Sequence, residues 1–206
     1  MHKAPIDIQS FIAEIGKYYP VQKSMYPWDI TNNIVKLIMD KIQKLNEEYN
    51  VNQGIAIHKS AVIEQNVVLK APVIVGPGCF IGSTAYLRGG VHLIANAKIG
   101  PGSEIKSSIL FNGSSAAHFN FIGDSIIGSN VNFEAGSVIA NHYNERSDKL
   151  ISVVYLNKII QTGIQKFGAL VGDGTKIGAN AVLSPGTMLE RNTIIKRLEL
   201  VEQIKS

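Results

Sequence analysis

A parallel β-helix is the fold this chain predicts, and three observations predict it. Apolar side chains recur at every sixth position, from Ile57 through Ile63, Leu69, Val75, Ile81, Leu87, Leu93, Ile99 and Ile105 to Phe111. Four positions after most of them stands a small or β-branched residue, as at Ala61, Val67, Val73, Cys79, Ala85, Val91, Ala97 and Ser103. Glycine often follows the aliphatic residue directly, as at Gly76, Gly82 and Gly100. A fixed period of six marks a solenoid in which each hexad gives a short strand and a corner. The aliphatic side chain fills the prism, and the small one fits beneath the turn.

Residues 1–50 carry a different pattern. Ile8, Phe11, Ile12 and Ile15 fall at helical spacing, with Gly16 at a suitable helix end. A connector from Tyr18 to Asp29 holds two prolines. Thr31 then suits an N-cap for a second helix whose stripe is Ile34, Ile38, Ile42, Leu45 and Tyr49. Helices this short need something to pack on, and the end of the solenoid is the expected place. The solenoid itself is expected over 51–193. Its register slips between Phe111 and Phe121 and resumes at Phe121, Ile127, Phe133 and Ile139. An excursion near 142–168 leaves the prism, and hexads return at Val171, Ile177, Leu183 and Leu189. Ile194, Leu198 and Val201 in the 194–206 tail predict a closing C-terminal helix.

Bulk properties narrow the function. The 206 residues suffice for one continuous core with a small appendage, and 45% hydrophobic content argues against disorder. A formal charge of +4, spread along the chain, gives no footprint for nucleic acid. No apolar run approaches the ~20 residues that span a bilayer, and the first eleven residues lack a signal-peptide core. A single cysteine, Cys79, forms no internal disulfide, so a reducing cytoplasm is the expected setting. No metal-ligand spacing stands out. Cys79 reads as packing, Trp28 as a helix-docking anchor, and Asn66, Asn96 and Asn180 as corner residues with positive φ. Gly76-Pro77-Gly78 and Gly172-Asp173-Gly174 read as corners, because no Gly-Lys-Ser/Thr follows them.

Three hexads make one turn, so residues eighteen apart stack at about the strand spacing of ~4.8 Å. Lys70, Arg88 and Lys106 are stacked in this way (88 − 70 = 18; 106 − 88 = 18). Such a cationic ladder is either solvated at a corner or a seat for a phosphate, which Arg grips as a fork and Lys as a point charge. His118 follows in a polar-aromatic setting, between Lys106 and the pair Asn132 and Asn141. Phe119 and Phe121 are placed to desolvate its ring.

With these residues assembled, the chain resembles the acetyltransferase half of the bifunctional N-acetylglucosamine-1-phosphate uridylyltransferase/glucosamine-1-phosphate acetyltransferases. It is most similar to the archaeal-type sugar-1-phosphate nucleotidyltransferases. The resemblance runs from about Pro27 to Leu189 and is carried by HFNFIGDSIIGSNVN…AGSVIAN and KFGALVGDGTKIGANAVLSPG. It implies that the β-helix is left-handed and that the molecule is a homotrimer with pockets at subunit boundaries. It also implies that Arg88 and Lys106 hold a sugar phosphate and that His118 is the general base. Asn132 matches a sugar-binding asparagine, Asn141 one beside the reacting acetyl group, and Ala135 a wall of the acetyl-coenzyme A site. The chain departs from the pattern at four places. Phe121 stands where a Tyr contacts the sugar, and His142, beside the cofactor, where bacterial members have Tyr. Glu134 replaces a Gly, and Ser147 replaces a loop lysine for which Arg146 or Lys149 can substitute. The Gly-rich loop of the nucleotidyltransferase domain has no counterpart in this sequence, so nucleotidyl transfer is not expected.

The function these residues predict is acetyl-coenzyme A-dependent N-acetylation of an amino-sugar 1-phosphate without a metal. An amine attacking a thioester must lose a proton, and imidazole takes protons near neutrality. Phosphate anchoring would hold the amine within attack distance. The same solenoid could instead acylate another amino- or hydroxy-sugar. A different class of function is a non-catalytic sugar-phosphate-binding or assembly module docked through its helical N-terminus.

Overall fold

The computed structural model describes residues 6–20 and 25–204. The outer ends of the 1–50 and 194–206 segments, and residues 21–24 of the connector, lie outside it. From Ile55 the backbone winds through three faces in repeating order. Val73–Val75 lies on the first face and Phe80–Ile81 on the second, while Tyr86–Leu93 begins on the third and bends back onto the first. Equivalent strands stack in parallel: Val75 beside Leu93, Ile81 beside Ile99, Leu87 beside Ile105. Among the described residues, the second face is one seven-stranded sheet. Ile81, Leu87, Leu93, Ile99 and Ile105 are fully buried in the prism, as their spacing predicts, and Cys79 packs with them. Burial pushes the Cys79 thiol up to about 11. Asn66, Asn96 and Asn180 occupy corners at φ of 64°, 57° and 56°, the left-handed region that a short polar side chain tolerates.

The six-residue count misplaces two aromatic residues. Arg88 pairs with Lys106, but three residues on Val91 pairs with Ser108, so one turn is shortened to seventeen residues at the corner after Lys106. Leu110 therefore enters the prism core, and Phe111 turns outward. The steps that cross this same corner from the third face are also seventeen, setting Ile122 beside Ile105 and Phe121 beside Glu104. Ile122 is fully buried, while Phe121 lies half-buried on the outside of the third face.

Among the described residues, four short helices cover the first face: α1 (Ile8–Phe11), α2 (Ile15–Tyr18), α3 (Pro27–Asn32) and α4 (Ile34–Ile42). Gly16 lies inside α2 instead of ending a helix, and Thr31 lies inside α3 instead of capping one. The actual start signal is Pro27 at the first position of α3, with the Tyr26 N–H donating to Asp29 Oδ2 at 2.8 Å. Helix α4 stops at Ile42, short of Leu45 and Tyr49. Tyr49–Asn52 is instead a strand, antiparallel to Ile55–His58, that opens the solenoid. The helices sit on a flank and not on the end of the prism, because the first face is apolar on its outer side as well. Ala56, Ile74, Ile109, Ile126 and Leu170 point outward there, and Ile34, Ile38 and Trp28 close over the same second core. Each such aliphatic or aromatic side chain contributes about 1.5–3 kcal/mol when taken out of water. Trp28 stacks on Tyr26 and meets Phe167 edge-on, the docking role its sequence position predicts.

The excursion after Ile139 has structure of its own. Ser152–Tyr155 and Lys158–Gln161 pair as a hairpin through a two-residue turn at Leu156 and Asn157. Its Val153 and Ile160 join the second core beside Tyr143 and Phe167. The predicted C-terminal helix is absent from the described residues. Ile194–Ile195 and Leu200–Val201 are further strands, with Ile195 beside Ile177 and Val201 beside Leu183. The helical spacing had selected Ile194 and Leu198, which are 70% and 79% exposed, and so described no buried face.

Candidate active site

Two edges of the prism, on either side of the third face, hold the candidate residues. The edge between the second and third faces is tied by a backbone ladder. Phe119 N–H donates to the Pro101 carbonyl at 3.0 Å, Gly136 to His118 at 2.9 Å, and Asn180 to Ala135 at 3.0 Å. His118 and Ala135 are thus neighbours, both exposed. The His118 ring makes no hydrogen bond among the described residues. Phe119 beside it is 72% exposed at φ 53°, a conformation that costs a bulky residue energy and that clusters at functional sites.

Glu134 does not stand free on this edge. It accepts from Arg197 Nε at 2.9 Å, Arg197 Nη2 at 3.3 Å and the Ala179 N–H at 2.9 Å. The Arg197 hydrogen bond, helped by Ala179, holds its carboxyl below the usual range. Glu134, Lys176, Lys196, Arg197 and Asn132 border an open groove of about 500 Å³ that runs from this edge onto the second face. Asn132 is exposed between Ser115 and Lys176, and its Oδ1 accepts from Ser115 Oγ at 2.6 Å.

The edge between the third and first faces holds the cations. Arg88 stacks beside Lys106 as the eighteen-residue step predicts. The ladder is not bare, however: each of its cations has a partner within the chain. Arg88 Nε donates to Glu104 Oε1 at 2.7 Å, Lys106 Nζ donates to Asp124 Oδ2 at 2.5 Å, and Lys70 lies over the Tyr86 ring at 5.5 Å. Asp124 also accepts from Asn141 Nδ2, and Asn141 Oδ1 faces His142 Nδ1 at 3.1 Å. Asn141 is buried at 7% exposure, whereas His142 is exposed. The Phe121 ring leans over Gly123 beside the Asn141 amide, where an added Cβ would lie 2.9 Å from the ring and 3.0 Å from the amide nitrogen. Sequence reading missed Asp124: the shortened turn sets Gly123 beside Lys106 and leaves Asp124 one residue off the stacked position of the ladder. On the excursion, Arg146 lies 3.5 Å from the centre of the Tyr143 ring and donates to Glu202 at 3.4 Å. Lys149 and Ser147 are exposed.

The structure thus brings Arg88, Lys106, Asn141 and His142 together on one edge, with Phe121 beside them. It brings His118 and Ala135 together on the other edge, with Asn132 on the adjoining face. Six residues of extended chain separate His118 from Asp124, so the edges of one chain are roughly 15–20 Å apart. A single chain does not bring His118 to the guanidinium of Arg88. Among the described residues, no group of three or more His, Cys, Asp or Glu is arranged to hold a metal, and no helix is long and apolar enough to cross a membrane.

Parallel hexads, alternating strand and corner around a filled prism, define a hexapeptide-repeat solenoid. Residues 72–106 match the family model described as the hexapeptide repeat of succinyl-transferase. Along most of its length the chain is similar to bifunctional sugar-phosphate enzymes of archaea. It is 32% identical to "Bifunctional protein GlmU" of Methanococcus vannielii, over 93% of this chain and 48% of that protein. It is 31% identical to "Bifunctional sugar-1-phosphate nucleotidylyltransferase/acetyltransferase" of Sulfurisphaera tokodaii, over 89% of this chain and 44% of that protein. Among solved structures it is similar to a hexapeptide transferase family protein from Anaplasma phagocytophilum. That likeness is at 15% identity with a TM-score of 0.34, over 70% of this chain and 72% of the other. The resemblance carried by HFNFIGDSIIGSNVN…AGSVIAN therefore extends over nearly the whole chain. The chain spans about half the length of the curated relatives it matches.

Proposed function

We propose that this chain is an acetyl-coenzyme A-dependent N-acetyltransferase of an amino-sugar 1-phosphate such as glucosamine-1-phosphate, with His118 as general base. The observation that carries the reading is the pairing of an exposed, unengaged imidazole with a stacked Arg88–Lys106 edge, in a chain related to sugar-phosphate acetyltransferases. The phosphate lies against Arg88 and Lys106, Asn132 and Phe121 border the sugar, and Ala135 and His142 border the acyl donor. Asn141 stands beside the reacting acetyl group. The distance between the two edges is closed by association. In a homotrimer of left-handed solenoids, the His118 edge of one copy faces the Arg88 edge of the next. The acyl transfer uses only acid–base groups of this set, and the setting is the cytoplasm.

The test is release of free coenzyme A from acetyl-coenzyme A on addition of glucosamine-1-phosphate. His118→Ala should lower turnover by a factor of ~10² or more. Equal turnover in wild type and variant would remove His118 from the mechanism. Wild-type failure across amino-sugar phosphates would refute the reading itself. One observation favours a binding or assembly module instead: Arg88 and Lys106 already hold carboxylate partners at 2.7 and 2.5 Å. Under that alternative, sugar phosphates raise the melting temperature while no thiol is released.

A further inference from the structure

His142 ends a chain of polar contacts in which each link has only one possible sense. The Lys106 ammonium can only donate, so the Asp124 oxygen it meets is an acceptor. The Asn141 amide shares the same carboxylate oxygen, so its NH₂ must face Asp124. Its carbonyl oxygen is thereby turned to His142 Nδ1, 3.1 Å away, and a carbonyl can only accept. The hydrogen must then sit on Nδ1. In a neutral imidazole this leaves Nε2 bare, and the residue is exposed at the cationic edge. His118 has no such orienting partner among the described residues.

The chemistry of N-acylation needs a second proton acceptor. An amino sugar enters near neutrality as the ammonium ion, which has no lone pair to attack with. One proton must leave before attack, and a second as the C–N bond forms. We infer that His142 is a further catalytic residue whose Nε2 takes the first proton from the substrate ammonium, with Asn141, Asp124 and Lys106 as its positioning residues. This inference rests on the acetyltransferase reading above and deepens it. The freed amine attacks the thioester carbonyl carbon, the C–S bond breaks, and coenzyme A leaves as thiolate. His118 accepts the second proton. One of the two protons ends on the coenzyme A sulfur and the other goes to solvent, so the reaction releases one proton per amide formed. A residue that borders the thioester carbonyl also borders the amine attacking it, which reconciles this role with the donor-side place of His142.

Two measurements test it. The first needs no substrate: long-range ¹H–¹⁵N spectra of the wild-type 206-residue chain, in which His142 is one of five histidines and is assigned by its loss in His142→Gln. The expected result is an Nδ1–H tautomer for His142 that is lost or mixed in Asn141→Ala. An Nε2–H tautomer in wild type overturns the inference. The second is the pH profile of kcat/KM with glucosamine-1-phosphate and acetyl-coenzyme A. His142→Gln should lose ~10²-fold near pH 6.5 and recover most of that near pH 9, where the amine deprotonates unaided. A loss equal at all pH values, as a merely structural role would give, overturns the inference. A wild type without turnover instead refutes the reading beneath it, while the tautomer remains measurable.

Discussion

The first and third faces of the prism are built from the same hexads but serve different ends. On the first, the outward side chains Ile74, Ile109, Ile126 and Leu170 are as buried as the core residues behind them, because α1–α4 and the excursion hairpin lie over them. On the third, the outward Tyr86, Arg88, Glu104 and Phe121 remain half-exposed, and both flanking edges carry an exposed histidine, His118 on one and His142 on the other. One flank supplies a second hydrophobic core, and the other is left free to meet ligand or partner. A solenoid with few residues per turn can separate stability from chemistry in this way, since each face needs only its own outward side chains changed.

That contrast can be broken at three points, taken from the largest expected effect down. On the third face, Ile122 and Phe121 are adjacent but opposite in burial. Ile122→Ala should cost ~2–5 kcal/mol of unfolding free energy, and Phe121→Ala less than about half as much. Denaturant unfolding of both checks this, and the reverse ranking would restore the strict six-residue register. On the first face, the Tyr19 hydroxyl meets Nδ1 of the buried His92 at 2.7 Å, and burial with nearby Lys41 pushes His92 down to about 3. Its ordinary value is about 6.5, so the unfolded chain takes up a proton that the folded one refuses. Stability should be fully present above about pH 6.5 and fall as pH drops toward 3. Thermal midpoints measured against pH should show this slope weakened in His92→Gln. An unchanged slope would mean that His92 is not kept neutral by the helices. At the His118 edge, Phe119→Asn should stabilise by about 1 kcal/mol, because Asn tolerates φ near 53° and Phe does not. Destabilisation would show that the ring is packed and is not held exposed under strain.

The same contrast decides what could be read from the sequence. Where one side of a strand faces water, as at Lys98-Ile99 or Asn132-Phe133, the aliphatic position was unambiguous and the hexads were legible. Ile109, Leu110 and Phe111 are apolar in succession because that face is buried on both sides, so nothing in the pattern shows the one-residue shortening at the corner. Phe121-Ile122 hides its register for a different reason: the half-exposed outward residue is itself aromatic, so two apolar residues stand in succession. The cationic edge was legible because charges recur at the repeat length. Its counter-ions were less so: Glu104 is sixteen residues from Arg88, off the period that revealed the ladder. The helix read into the tail failed because two of its three apolar residues are solvent-facing corner or strand positions.

Association of the two edges is the point on which the functional account turns, and mixed oligomers test it most directly. His118→Ala and Arg88→Ala chains, each inactive alone for a different reason, are coexpressed and purified as mixed assemblies. If the imidazole edge of one copy works against the cationic edge of the next, some boundaries pair two intact edges, and coenzyme A release with glucosamine-1-phosphate returns. Mixed assemblies as inactive as either parent, while the wild type turns over, would contradict the account.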